Sequence, residues 1–477
     1  MTARPGRIAA WGALLVLLAV VAQAEETERR VVVVTRNYEA CAAHRWLLGE
    51  NWRTQWSAPI EVEVLDLANT AGGLRPAKRV GGLQTHGLAF EGADGRSYTF
   101  RSVQKRGDGW LPASLRFGPL GALLRDQASA NLPGANLVAA TLSRRLGLAV
   151  TPRRIVVLPD DPALGPHRDE FAGLTGTLSE YPQPGPDGSP GTFGYTETLT
   201  SEELWTASRT GDAANVDARA YLRARLVDWW IGDWDRHPGQ WRWGLADPED
   251  GYQPLPEDHD HAFTHFDGVL VLALVRPVLP WVGPYDDAPS LRGMTNNSWW
   301  LDAWILAGLD RDAWIEEIDA FEAGVDASVV DDAIAELPRG WRELGGDALR
   351  RELEARAAAL RRLALEIQAS ISRIAHLYGS DAADRVEVDC RAGAVDVTLV
   401  KAGRATSHRS FLPKRTERIE LHLLSGDDRV IYARGSARCE IPLRERESVR
   451  LWRGIPAPVD RVRDPRRPGR SRSEPRF

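Results

Sequence analysis

The sequence predicts an α+β fold of two lobes, the second mainly helical, followed by a small β domain. Three observations predict it. Residues 78–181 alternate strand-like runs with turn signals and hold one helical stretch. Residues 182–380 are dominated by helical periodicity: Leu349, Leu353, Leu360, Leu363, Ile367, Ile371 and Ile374 recur at steps of three, four or seven. From Arg385 the apolar period switches to two, with Val386, Val388 and Cys390 on one face and Ile419, Leu421 and Leu423 on another.

The chain opens with Arg4 and Arg7, the apolar run Ile8–Ala22 and the small-x-small pattern Ala22-Gln-Ala24. That order reads as a signal peptide over 1–24, cleaved after Ala24. The run is short for a membrane span, and Glu25, Glu26 and Glu28 follow it. The expectation is export, into a bacterial periplasm. An N-terminal extension, 25–77, carries strands at Val31–Val34 and Ile60–Leu67 around a helix or turn at Glu39–Leu48.

The β-rich lobe, 78–181, has strands at Leu88–Glu91 and Ser97–Val103 joined by the turn Ala93-Asp-Gly95. A helical stretch, Leu123–Leu148, is interrupted at Pro133-Gly134, and strands follow at Ile155–Leu158 and Leu174–Tyr181. The Pro/Gly-rich segment Pro182–Pro190 marks the lobe boundary. In the helical lobe, 182–380, Asp217–Ile231 places Leu222, Leu226 and Trp229/Trp230 on one face, and Asp347 to Gly379 reads as one long helix. The small β domain spans 381–456. The tail, 457–477, is Arg- and Pro-rich with almost no apolar residues, so it is expected to be disordered, with at most a weak contact to the envelope.

Composition narrows the function classes. The chain has 477 residues, 43% hydrophobic and 26% charged, which is ordinary for globular domains. A formal charge of −6 offers nothing to a nucleic-acid backbone, so no nucleic-acid partner is expected. Of the three cysteines, Cys390 and Cys439 lie in the strand-rich region. Either they pair in an oxidising compartment, leaving Cys41 over, or all three are free thiols. The absence of Cys-x-x-Cys argues against a zinc ribbon or a thioredoxin-like site.

The chemistry concentrates in Ile231-Gly-Asp-Trp-Asp-Arg-His-Pro-Gly-Gln240 and Pro256-Glu-Asp-His-Asp-His-Ala-Phe263. Between them Trp241–Trp243 and Tyr252–Leu255 flank the turn signal Asp247-Pro-Glu-Asp-Gly251, which predicts a hairpin. A hairpin reverses the chain, so Asp258 should return close to Asp235 and Gln240. Phosphoryl transfer uses such a set: one carboxylate beside the attacking hydroxyl, with an amide and another carboxylate on a divalent ion. The bland alternative for Asp235 is a loop carboxylate paired with Arg236 or Arg242.

The motif Gly232-Asp-Trp-Asp-Arg-His237, Gln240 and Asp258-His-Asp260 with its trailing Ala-Phe263 resembles the atypical kinase-like superfamily. That superfamily includes HipA-type toxin kinases, CotH spore-coat kinases, secretory casein kinases and phosphatidylinositol kinases. The chain looks still closer to a bacterial envelope module found between a calcineurin-like phosphoesterase and an outer-membrane barrel. Residues 36–110 and 225–440 are similar to it, including Arg101-Ser-Val-Gln-Lys105 and Leu424-Ser-Gly-Asp-Asp428. The resemblance implies a two-lobed protein-kinase-like domain, with ATP and Mg²⁺ (or Mn²⁺) as cofactors. Its partners would be a nucleotide and a protein or small-molecule acceptor.

Position by position, the resemblance makes Asp235 the carboxylate that orients the acceptor. Gln240 stands where the families place a metal-binding Asn. Asp258 is the metal-binding Asp and Asp260 a second ligand. The phosphate-binding cation is Arg101 or Lys105. Its helix brace aligns with the uncharged Asn136, which leaves Asp126 as the substitute. Gly81, Gly82 and Gly87 can let backbone amides approach phosphates.

Two other functions fit the same residues. A pseudokinase-like envelope binding or assembly protein would also lack a charged brace. A metal-dependent hydrolase would use His237, His259, His261 and His265 with Asp258, Asp260 and Asp267. On an extended segment the Asp and His side chains would face opposite ways, so a mixed site requires a turn there.

Overall fold

The computed structural model describes residues 28–81, 85–109, 111–185, 188–210, 214–285, 289–401, 403–433, 439 and 441–446. The expected signal peptide, the Arg-rich tail and Gly82 lie outside them.

The fold is mixed α+β. Seven strands form one sheet in the order β1-β2-β6-β7-β5-β4-β3. They are β1 (Arg29–Val33), β2 (Pro59–Val64), β3 (Leu74–Val80), β4 (Thr85–Gly92), β5 (Ser97–Lys105), β6 (Arg153–Val157) and β7 (Thr175–Glu180). β2 pairs with β6 in parallel, Glu63 opposite Val156, so residues 25–77 and 78–181 share this sheet. Period-two alternation divides its side chains between two cores. Leu88, Phe90, Phe100 and Leu178 pack with Phe171 on one face, while Ile60, Val62, Val64 and Val103 join the large core that includes the helices.

On β5 the face that carries Val103 also carries Arg101 and Lys105, at steps of two. Both cations therefore look toward the helical side. The helical stretch after β5 breaks where Pro133-Gly134 was expected to break it: one helix covers Pro119–Gln127 and the next Ala135–Arg145.

The central helix, Ala218–Ile231, starts where the Asp217 carboxylate accepts from the Ala220 backbone N–H at 2.9 Å. It ends at Gly232, whose φ of +71° suits glycine; a Cβ there would also crowd Tyr285. The helix is buried almost all round, so Trp229 and Trp230 pack in the core, and Trp230 Nε1 donates to the Leu353 carbonyl at 2.8 Å.

The long helix spans Arg339–Arg373, eight residues earlier than Asp347 and ending before Ile374. Asp347 lies inside it. Gly345-Gly346 reads locally as a break. A Cβ on Gly345 would meet the Gln55 side chain and one on Gly346 the Ile334 side chain, so close packing holds the glycines helical.

The hairpin forms as expected: β9 (Trp241–Leu245) and β10 (Gln253–Pro256) are antiparallel, with Leu255 opposite Arg242 and Pro256 opposite Trp241. A strand not foreseen, β8 (Glu197–Thr200), pairs with β9. Behind the long helix, β11 (Ile374–Tyr378), β15 (Arg418–His422) and β17 (Leu443–Arg446) make a parallel sheet. β12 (Arg385–Arg391), β13 (Ala394–Lys401), β14 (Arg404–Phe411) and β16 (Arg429–Tyr432) make a mixed sheet, antiparallel except for β12 with β16. Their facing side chains, Val386, Val388, Leu399, Phe411, Ile419 and Leu421, form a separate core. Cys390 and Cys439 are joined in a disulfide, and Cys41 is free and exposed.

Candidate active site

Arg236 builds the site from beneath. It is fully buried, and its Nε lies 3.2 Å from Asp228 Oδ2 on the central helix. Its Nη1 donates to Gln240 Oε1 at 3.1 Å and to the Asp258 carbonyl at 2.5 Å, while the guanidinium lies over the Trp241 ring at 4.3 Å. One side chain thus ties helix, loop and returning strand together. Glu257 N–H donates to the Gln240 carbonyl at 3.1 Å and closes the reversal.

A second buried arginine anchors the helix itself. Arg225 forms a fork with Asp302, 2.9 and 3.2 Å, and reaches Asp228 at 2.7 Å. His259 points the same way, its Nε2 3.4 Å from Asp228 Oδ1. These groups are enclosed, so their charges compensate one another within the core.

Above this anchor, the two aspartates meet the sheet cations. Arg101 Nη1 lies 2.9 Å from Asp258 Oδ2, and Lys105 Nζ lies 2.6 Å from Asp260 Oδ2 and donates to the Asp260 carbonyl at 2.8 Å. Arg101 and Lys105 thus each reach one of the two carboxylates. Asn136 Nδ2 donates to Asp258 Oδ1 at 3.3 Å, and its Oδ1 accepts from His259 N–H at 2.9 Å. Burial works to raise the Asp258 carboxyl, but Arg101, Lys105 and Arg153 with Asn136 outweigh it and hold it far below the usual carboxylate range.

Asp235 has the opposite environment. Burial and the neighbouring Asp260 push its pKa up to about 7, against the opposing pull of Lys105 and Asn297. Asn297 Nδ2 donates to Oδ1 at 2.8 Å. The other oxygen, Oδ2, lies 3.7 Å from His261 Nε2, which is 3.8 Å from Asp260 Oδ1. The chain turns at Asp260–Phe263, where Phe263 takes a φ of +57°, and this brings His261 round to the side of the aspartates. Strict alternation thus fails at His261 and holds at His259. Burial drives His261 down to about 4, helped by Lys105, so the ring is neutral near pH 7.

Two expectations need correction, and Gln240 has a partner of its own. Asp126 does not brace Arg101 or Lys105. It takes a two-pronged bridge from Arg53, 2.8 Å on each oxygen, plus His44 at 2.8 Å, because its helix end faces the Arg53 segment. The residue at Asp258 is instead the uncharged Asn136. The Gln240 side-chain carbonyl oxygen accepts from Arg236 Nη1, which also donates to the Asp258 carbonyl, so that oxygen is already engaged. The bland pairing of Asp235 with Arg236 or Arg242 also does not form: Arg236 goes to Asp228, and Arg242 lies 3.7 Å from Glu257. Gly81, with φ +97°, lines the neighbouring cavity.

That cavity, of about 460 Å³, runs along the sheet and hairpin and is lined by Lys78, Arg101, Arg153, Arg242 and Glu257 among others. Arg101 is shared between it and the pocket at Asp258 and Asp260. Arg153 Nε is buried there without a hydrogen-bond partner, a donor suited to an anion. Sequence reasoning missed Arg153 and Asn297. Neither lies in a motif, and only tertiary structure brings them in.

No protein-family description matches the chain, and no curated protein matches it. Among solved structures, it is similar to a Helicobacter pylori proinflammatory kinase, CtkA, at 12% identity over 62% of this chain and 96% of that one, TM-score 0.32. It is similar to the Golgi casein kinase at 11% identity over 77% and 90%, TM-score 0.34. It is also similar to Shewanella oneidensis HipA, in complex with HipB and operator DNA, at 15% identity over 62% and 74%, TM-score 0.31.

Proposed function

We propose that the chain is a kinase-like phosphotransferase that moves a phosphoryl group from a metal-bound nucleotide, ATP with Mg²⁺ or Mn²⁺, to an acceptor hydroxyl. The observation that carries this reading is the convergence of Asp235 with Asp258 and Asp260 opposite two cations of the sheet. Asp258 and Asp260 supply hard carboxylate oxygens, which fit a divalent ion of this class. The orphaned Arg153 Nε and the cationic cavity fit a polyphosphate. A bound ion would neutralise charge on the phosphates.

The chain's own residues do the rest. Asp235 accepts the hydrogen of the acceptor hydroxyl. A carboxylate poised near neutrality suits a general base. Asn297 fixes one oxygen so that the other faces the acceptor. Arg101 and Lys105 exchange their carboxylate partners for phosphate oxygens and hold the donor in place. Gly81 lines the adjoining cavity, where its backbone can approach a phosphate.

The N-terminal sequence supports export to a bacterial periplasm. There ATP is scarce, so the donor would have to be delivered or replaced by another phosphate compound. Two observations favour a second reading, a pseudokinase-like binding or assembly protein: Gln240 is engaged by Arg236, and the brace position is the neutral Asn136.

Incubating the full chain with ATP and Mg²⁺, and measuring ADP release, decides between them. Phosphotransfer predicts turnover that falls at least about a hundredfold in Asp235→Asn while nucleotide binding persists. Binding without turnover in the unaltered protein supports the pseudokinase reading. No binding of any nucleotide removes the phosphotransfer reading and favours an assembly role.

A further inference from the structure

A second group of ligand-type side chains lies well away from Asp258 in sequence, on the parallel sheet behind the long helix. In β11 and β15 the register sets His376 opposite Glu420 and Tyr378 opposite His422. Parallel pairing keeps opposed side chains on one face, so His376, Glu420 and His422 converge. His376 Nδ1 lies 3.0 Å from His422 Nε2 and 3.7 Å from Glu420 Oε2. Two imidazole nitrogens and one carboxylate oxygen thus lie within 4.8 Å of one another.

A tetrahedral zinc ion with bonds near 2.0–2.1 Å sets its ligand atoms about 3.3 Å apart. The observed 3.0 and 3.7 Å bracket that spacing. Side chains around the group fix its orientation. Arg418 Nε donates to the other Glu420 oxygen at 2.8 Å, and the Tyr378 ring stacks on His422 with centroids 4.5 Å apart and planes 11° apart. Ligands held by neighbours in this way are pre-oriented for an ion. Glu420 and His422 are buried, while His376 is half-buried and lines a cavity of about 210 Å³ that also reaches Lys401 and Ser407. The cavity opens the group to solvent at His376.

The other compact group among the described residues, Asp228, Asp233 and His259, differs in kind. Arg225 and Arg236 already neutralise Asp228, so an added cation would be repelled there.

We propose that His376, Glu420 and His422 form a binding site for one Zn²⁺ ion, with water as the fourth ligand, independent of the phosphotransfer site. The set of two histidines and one glutamate is a donor combination that zinc accepts with an open fourth position. The ion would cross-link β11 to β15, and so connect the end of the long helix to the β domain.

The test uses untagged full-length protein dialysed against Zn²⁺, with elemental analysis, and against Co²⁺ as a coloured probe. The expected result is one equivalent of zinc and the visible absorption of tetrahedral cobalt. Both should be at least tenfold weaker in His376→Ala and in His422→Ala, and retained in Asp258→Ala. Zinc uptake that survives both histidine changes overturns the proposal, as does no uptake by the unaltered protein. If a histidine variant does not fold, Glu420→Gln decides. Affinity at least tenfold weaker supports the site, and unchanged affinity contradicts it.

Discussion

Two charge clusters flank the loops after the central helix, one sealed among the helices and the other shared with the seven-stranded sheet. In the first, Arg225 and Arg236 are sealed in the core and bridge Asp228 and Asp302. In the second, Arg101 and Lys105 bridge Asp258 and Asp260 beside a cavity, and among the described residues no Arg or Lys pairs with Asp235. The side chains of Arg225 and Arg236 are 0% exposed, against 24% for Asp235. The difference teaches how to tell an anchor from a site. Enclosed and fully compensated charges hold a fold, whereas open and unevenly compensated charges are available to a ligand.

The largest effect should come from breaking the anchor. Arg236→Met leaves Asp228 partly uncompensated and frees the Asp258 carbonyl. It should lower stability by about 3–5 kcal/mol in denaturant unfolding. A loss below about 1 kcal/mol would erase the distinction between the clusters. Asp258→Asn, by contrast, should stay folded at a lowered midpoint, because Arg101 and Arg153 lose their counter-charge, and should abolish metal-dependent nucleotide binding in a thermal-shift titration.

Asp235→Asn sharpens the contrast through pH. The folded carboxyl titrates at about 7, above its unfolded value, so the folded state binds the extra proton between roughly pH 4 and 7. Its stability contribution is present at low pH and is lost as pH rises through 7. The Asn variant should therefore be more stable than the native protein at pH 8, by about 1–2 kcal/mol, and not at pH 4. Equal pH profiles for the two proteins would contradict the environment assigned to Asp235.

A smaller change is expected from Asn297→Ala. Loss of its hydrogen bond removes an influence that lowers the Asp235 pKa. The acidic limb of turnover should move to higher pH, with kcat about tenfold lower and nucleotide affinity unchanged. The smallest effect on the site should follow reduction of Cys390–Cys439. It should loosen the β domain by about 2–4 kcal/mol while nucleotide binding persists.

The sequence made much of this legible because some information was local. The turn signal between Trp243 and Tyr252 returned Asp258, and the helical face over Asp217–Ile231 located the central helix. What failed depended on tertiary contacts. Asp126 read as a brace by charge alone, yet Arg53, far earlier in the chain, claims it. Asn136 was set aside for lacking charge, although an amide can bind both a carboxylate and the following backbone N–H. Asn297 stands in a polar turn with no motif. Only folding brings it to Asp235.

The most direct measurement of the central claim is calorimetric titration of a non-hydrolysable ATP analogue into the protein with and without Mn²⁺, repeated on Asp258→Asn. The account predicts one saturable, metal-dependent site in the native protein and its loss in the variant. Equal affinity in the two proteins, or no dependence on the metal, would contradict it.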